Sequence, residues 1–147
     1  MTNTIDNAIA RVQELALSMT SVTIKSAPEY AIENADPLPF SVAWVSSGYF
    51  YNVNSTQLLN FPSIDVEFHF SRVNLKQTYQ QINSVIYEFV KVLSGDPTLN
   101  GTVETIVFGR DNPLMYTVRP FEWNKITTQM LLFTVPVKIK QTPQATA

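Results

Sequence analysis

Residues 64–70 alternate without a break. Ile64, Val66, Phe68 and Phe70 fall on one side of an extended chain, and Asp65, Glu67 and His69 on the other. A period of two is the pattern of a strand with one buried face, and a helix over these residues would scatter the apolar side chains around its circumference. Just beyond, the period changes. Leu75, Tyr79, Ile82, Ile86, Phe89, Val90 and Leu93 recur at helical spacing across residues 74–93, with Asn74 placed to cap the start and Gly95 and Pro97 to stop the end. A half-apolar strand followed by a helix with a wide apolar stripe predicts a sheet with helices packed on it.

The flanking segments extend the same plan. Ile5, Ile9, Val12, Leu15, Ala16 and Met19 predict an amphipathic helix over residues 5–19, with Asn7, Arg11, Gln13 and Glu14 mostly on its outer side and Thr4 or Asn3 as its cap. Residues 1–3 are expected to fray. Val22 and Ile24 suggest a short strand, and Pro28, Asn34, Asp36 and Pro37 a loop. Residues 40–46 read as a strand in which Phe40, Val42 and Trp44 alternate with Ser41, Ala43 and Val45. After the long helix come strands at 103–108 and 114–118 around a turn at 109–113. A link through Pro120 follows, then a run at 126–139 that Pro136 marks as an edge strand or as bent. The order is helix, strands, helix, strands. It lacks βαβ alternation, so the fold class is α+β: a mainly antiparallel sheet flanked by an N-terminal helix and one long central helix. A length of 147 residues suits one domain. We expect that domain over residues 1–140 and a small, polar, flexible tail over 141–147.

Composition narrows the chemistry. There is no cysteine, so disulfides, thiolate metal sites and cysteine nucleophiles are excluded. The net charge is −2 and the basic residues Arg72, Lys76, Lys91, Arg110, Arg119 and Lys125 stand singly, which gives no footprint for a nucleic-acid backbone. Residues 130–137 form the most apolar stretch, far short of the roughly 20 residues that a membrane helix needs. Asp6, Arg11 and Glu14 interrupt the N-terminus where a signal peptide has an apolar run. The expectation is a soluble protein made in the host cytoplasm, with no membrane partner.

No catalytic, cofactor-binding or metal residue is assigned, and no cofactor is expected. The one histidine, His69, lies in a regular strand without a G-x-S-x-G elbow, and neither phosphate-cradling glycine motif occurs. Asp96, Glu104 and Asp111 fall near turns or strand ends, where carboxylates are solvated by default. One set of residues carries an alternative from a different class: Asp65, Glu67 and His69 leave one strand face about 7 Å apart in succession, and with further ligands they would make a small metal-dependent hydrolase. Otherwise they are the wet face of an amphipathic strand. A small-ligand-binding α+β domain is a further alternative.

Residues 46–60 stand apart. No charge occurs between Pro37 and Ile64, and three aromatics are adjacent: Tyr49, Phe50 and Tyr51. An uncharged, aromatic loop or hairpin suits a protein contact, because interface cores are rich in such rings and poor in charge. Such rings can equally fill the chain's own core. We take Tyr49, Phe50, Tyr51, Asn52 and Asn54 as candidate subunit-interface residues. Alternation along an extended chain sends the tyrosines to one side, toward a neighbour, and Phe50 to the other, where it is expected to anchor the segment.

The segment Leu93-Ser94-Gly95-Asp96-Pro97-Thr98-Leu99-Asn100-Gly101-Thr102-Val103, a D-P-T-L-x-G-T-V turn after a long helix, resembles the tail terminator and tail completion proteins of long-tailed bacteriophages. Leu38-Pro39 before the strand at 40–45, and a closing strand pair over 116–133 with a turn near 121–124, agree with it. Asn100 stands where that family often has glycine. The resemblance spans most of residues 5–139 and carries over no functional side chain. It implies an enzymatically inert structural protein of the virion neck. Such proteins form a ring, typically a hexamer, that caps the tail tube and takes part in head-tail joining through the connector, while the genome DNA passes through the lumen without specific binding. The expected partners are therefore self, the tail tube protein and the connector or adaptor protein. Another neck, tube or baseplate subunit is the near alternative.

Overall fold

A computed structural model describes residues 3–30, 32–54, 57–109, 113–123 and 125–141. Helix α1 spans Ile5–Ser18, strand β1 Phe40–Asn54, β2 Gln57–Phe70, helix α2 Leu75–Ser94, β3 Thr105–Ile106, β4 Met115–Trp123 and β5 Ile126–Gln141. The fold is α+β, an antiparallel five-stranded sheet with both helices on one face. The sheet runs β1-β2-β5, with β4 and the short β3 in succession along the far side of β5. Gln141, expected to open the flexible tail, pairs with Leu58 at the end of β5; residues 142–147 lie outside the described residues. So do most of the turn expected at 109–113, residue 124 of the turn near 121–124, and the first two of the residues expected to fray.

The helix face holds the main core. Ile64, Val66, Phe68 and Phe70 of β2 are fully buried there beside Leu131, Phe133, Val135, Val137 and Ile139 of β5. Phe89 of α2 packs between Phe68 and Phe133, with ring centroids 5.0 and 4.8 Å away. The buried stripe of α2 is Thr78, Ile82, Val85, Phe89 and Leu93, whereas Leu75 and Tyr79 are exposed. The stripe is thus turned slightly from the expected one at its N-terminal end.

α1 lies over β1, where the sheet offers the small residues Ser41 and Ala43 to the helix's Ala8 and Ala16. This close approach buries Gln13, expected on the outer side. Its amide nitrogen donates to the Pro28 and Ser41 carbonyls at 2.8 and 3.1 Å, and its oxygen accepts from the Ser41 hydroxyl at 2.8 Å. Buried amides persist when every donor and acceptor finds a partner in this way.

Two polar clamps hold the helices in place. Asp96, just past α2, accepts from Arg11 Nε of α1 at 2.7 Å and from the Asn100 backbone at 2.9 Å. Leu99, Asn100 and Gly101 all take positive φ, so the D-P-T-L-x-G turn folds back and drives Leu99 into the core. Glu88 of α2 forms the second clamp. It accepts from the backbone and hydroxyl of both Thr20 and Ser21, just beyond α1. Partial burial works to raise the Glu88 pKa, but these four donors outweigh it and leave the carboxyl below the ordinary value of 4.5.

Val22 and Ile24 are buried but form no strand; among the described residues the one ladder contact there is a single bridge from Ser26 to Phe40. Pro136 does not mark an edge. β5 is the central strand, and Pro136 sits where pairing with β4 gives way to pairing with β3. The ladder to β2 breaks at the same level. Ser63 pairs with Pro136 and Asn60 with Ile139, while Phe61 and Pro62 make no pair between them. β1 carries a bulge at Ser46, and Gly48 lies so close to Pro62 that a Cβ would sit 2.9 Å from the proline Cα. Bulge, glycine and two prolines thus fall in one band across the sheet. Pro120, expected in a link, is instead inside β4, where the edge position removes the need for its missing N–H.

Two measurements check this packing. Phe89→Ala should cost about 3–5 kcal/mol in a chemical denaturation experiment, as for other fully buried rings. Glu88 should add stability that is present above its unfolded value near 4.5 and lost as pH falls through the lower folded value. The denaturation midpoint of Glu88→Gln should therefore fall less than that of the natural chain between about pH 6 and pH 3.

Candidate functional site

Beyond the band at Ser46, the first two strands continue as an arm. Residues 46–60, expected as a loop or hairpin, are strand throughout their described part, paired from Ser47–Ser63 to Asn54–Gln57. On the helix side, the turn at 97–103 covers the ends of β2 and β5, so that Asn60 and Ile139 are buried. β1 at the same level is covered on neither face. Tyr49, Phe50 and Tyr51 are 61, 63 and 60% exposed, and Val45 and Val53 are 44 and 46% exposed.

The pleat sends Phe50 to the helix side, with its register partners Asn60 and Ile139, and sends Tyr49 and Tyr51 to the opposite side with Phe61 and Leu59. The alternation matches expectation, but the anchoring role does not. Phe50 is as open as the tyrosines, because nothing is layered over β1 there. The ring with a local partner is Tyr49, stacked on Phe61 at 4.9 Å. Asn52 and Asn54 lie further along the same exposed stretch. The five candidate interface residues therefore fall together on one edge strand, and their side chains make no part of the core.

The polar face of residues 64–70 is not a wet face. His69 is completely buried and Glu67 nearly so, beneath a second, smaller cluster formed by Phe40, Val42 and Trp123 with Ile32, Ala35, Leu38, Trp44 and Phe121. Antiparallel register explains why: Phe40 pairs with His69 and Val42 with Glu67, so the large apolar face of β1 and the polar face of β2 are one and the same side of the sheet.

Both His69 nitrogens are engaged. Nε2 lies 2.9 Å from Glu67 Oε1, and Nδ1 lies 2.7 Å from Thr128 Oγ1 and 3.2 Å from Trp123 Nε1. An indole N–H can only donate, so Nδ1 accepts and the proton sits on Nε2, donated to Glu67. The ring is stacked on Phe40 at 5.0 Å and meets Phe121 and Trp123 edge-on. Asp65 is separate and accepts from Thr134 at 3.0 Å.

Carboxylate, imidazole and hydroxyl stand in the order of a nucleophilic relay, but a substrate would need access to the Thr128 hydroxyl, and that residue is fully buried. Nor do Asp65, Glu67 and His69 converge. Among the described residues, no group of three or more His, Asp or Glu is placed to hold a metal ion. The cluster is a satisfied polar plug, and no buried side-chain nitrogen or oxygen among the described residues lacks a partner. Asp96, from the weaker carboxylate set, is committed to Arg11 and the turn, and Glu104 lies 3.5 Å from Lys138.

The plug should matter for stability. His69→Ala strands Glu67 and the Trp123 indole in a dry site, so it should cost at least about 2 kcal/mol and alter Trp123 fluorescence. An unchanged denaturation midpoint would mean that the cluster is hydrated and carries no structural weight.

No protein-family model matches the chain and no curated protein matches it, so the weight of any functional reading falls on the geometry of the arm.

Proposed function

We propose that this chain is a ring-forming structural subunit of a virion tail, of the terminator kind that caps the tail tube and joins it to the head connector. One observation carries the reading: an edge strand that keeps apolar rings exposed on both faces over an uncharged stretch. In a lone subunit that strand is a liability, because unpaired edges and exposed rings invite association. In a closed ring the same strand is the contact. The D-P-T-L-x-G turn adds support through the resemblance it carries, and a ring of about six copies, made in the host cytoplasm and built into the virion neck, follows from that resemblance. The tube protein and the connector would meet the ring's two axial surfaces. DNA would pass through a lumen that offers few clustered cations to hold it.

The exposed strand serves a tube or baseplate subunit equally well, and the assembly of particles distinguishes them. The hydrolase reading has less support, since His69 spends both nitrogens inside the core.

Tyr49→Asp combined with Tyr51→Asp places two charges where a contact would bury them, which is costly. The variant should keep the circular dichroism of the natural chain, and tails made with it should fail to join heads. Normal joined particles would remove the arm from any contact that matters.

A further inference from the structure

The arm is open on three sides. Phe50 projects from one face, Tyr49 and Tyr51 from the other, and past the bridge at Phe40 no strand among the described residues borders its outer edge. A flat partner would cover one face and leave the other wet. A partner that takes the strand edge-on, with a hollow on each side, would cover all three.

The far edge of the same sheet has that form. Among the described residues, β4 is bordered by β5 alone. On its helix side, Asn83, Ile86, Tyr87 and Val90 of α2 and Tyr116 of β4 line a groove of about 530 Å³. On its other side, Met115, Thr117 and Leu132 help to line a hollow of about 250 Å³. None of these residues is charged, and the first charge on β4 is Arg119.

We propose that the arm of one copy adds as a strand to the β4 edge of the next copy, with Phe50 in the α2-side groove and Tyr49 and Tyr51 over Met115 and Thr117. This rests on the ring reading and names the two surfaces that build the ring.

Direction, facing, stagger and size support it. Rotation about a ring axis to which the strands are tilted, and not perpendicular, preserves the sense of strand direction. β1 runs opposite to β4, so the added strand is antiparallel, the more stable pairing. The same rotation keeps helix faces on one side, which brings Phe50 to the groove beneath Tyr87. The contact joins two different patches, as a ring requires, and no copy can satisfy it alone because β1 and β4 are opposite edges. Phe50 lies level with Ile139 and Tyr116 with Phe133, so the arm overhangs β4 by the stretch of β5 between those two residues. A closed sheet needs such a stagger, taken up as strand tilt. The three rings, each about 60% exposed, present on the order of 350 Å², a little under half of what one partner brings to a standard interface.

The chain has no cysteine, so introduced thiols report cleanly. We would cross-link the double variant Tyr51→Cys with Thr117→Cys using a short bis-maleimide, with circular dichroism to confirm folding. A second pair on the helix side, Asn52→Cys with Asn83→Cys, repeats the test if the first pair does not fold. The double variant should give a ladder of covalent multimers on a denaturing gel, and each single variant should stay monomeric there. Dimers from Tyr51→Cys alone would show arms pairing with arms and overturn the proposal. If light scattering of the natural chain finds rings while neither double variant gives a ladder, the ring reading stands and this edge pairing falls. A natural chain that is monomeric at every concentration would sink the ring reading and the proposal together.

Discussion

Every other element takes its place from the ladder between β2 and β5. On the helix side these two strands are buried along the body of the sheet. On the other side they are buried around Glu67 and His69, while Asp65, Leu132 and Thr134 are half-buried. Each face obtains its cover differently. The helix side is closed by α1 and α2 over large side chains, chiefly Phe68, Phe89 and Phe133. The other side is closed by the loop before β1 and by the end of β4, over a polar centre that only hydrogen bonding makes tolerable. Glu67 and His69 can occupy that centre because Thr128 and Trp123 complete their bonding.

Cover stops abruptly at the band formed by Ser46, Gly48, Pro62 and Pro136. Past it, β2 and β5 still receive the turn at 97–103, but β1 receives nothing. The body therefore has a finished core, while the arm holds apolar surface that folding of one chain does not bury. Surface of that kind is where association free energy is available. The band marks where the arm leaves the body, whose β4 edge also keeps Met115 and Tyr116 exposed.

Much of this was legible in the sequence, and the misses have one cause. Periodicity located both helices and the strand at 64–70, because each pattern is local. It identified the uncharged aromatic segment and the alternation of Phe50 against Tyr49 and Tyr51. It misplaced His69, Glu67 and Gln13, because their burial depends on what lies across the sheet or beneath the helix. A polar residue on a strand reads as wet until the register sets Phe40 beside His69. Pro136 reads in the sequence as an edge or a bend, and the edge alternative fails for a related reason: one side of β5 changes partners at that residue. Leu75 and Tyr79 fit the helical stripe of α2, yet both are exposed, and Tyr79 turns its hydroxyl to accept from Gln129 of β5 at 3.1 Å. The anchoring role expected of Phe50 failed because alternation fixes a side chain's direction and says nothing of what lies there.

The body of the fold holds its core within one chain, and the arm is proposed to be completed by another. Amide hydrogen exchange, followed by mass spectrometry on the natural chain at low and at high concentration, tests this most directly. Peptides from β2 near residues 64–70 and from α2 should be slow to exchange in both samples. Peptides from β1 past Gly48 should exchange fast when dilute and become protected on assembly, together with those from β4. An arm that exchanges equally fast in the assembled and the dilute protein would show that no second chain covers it.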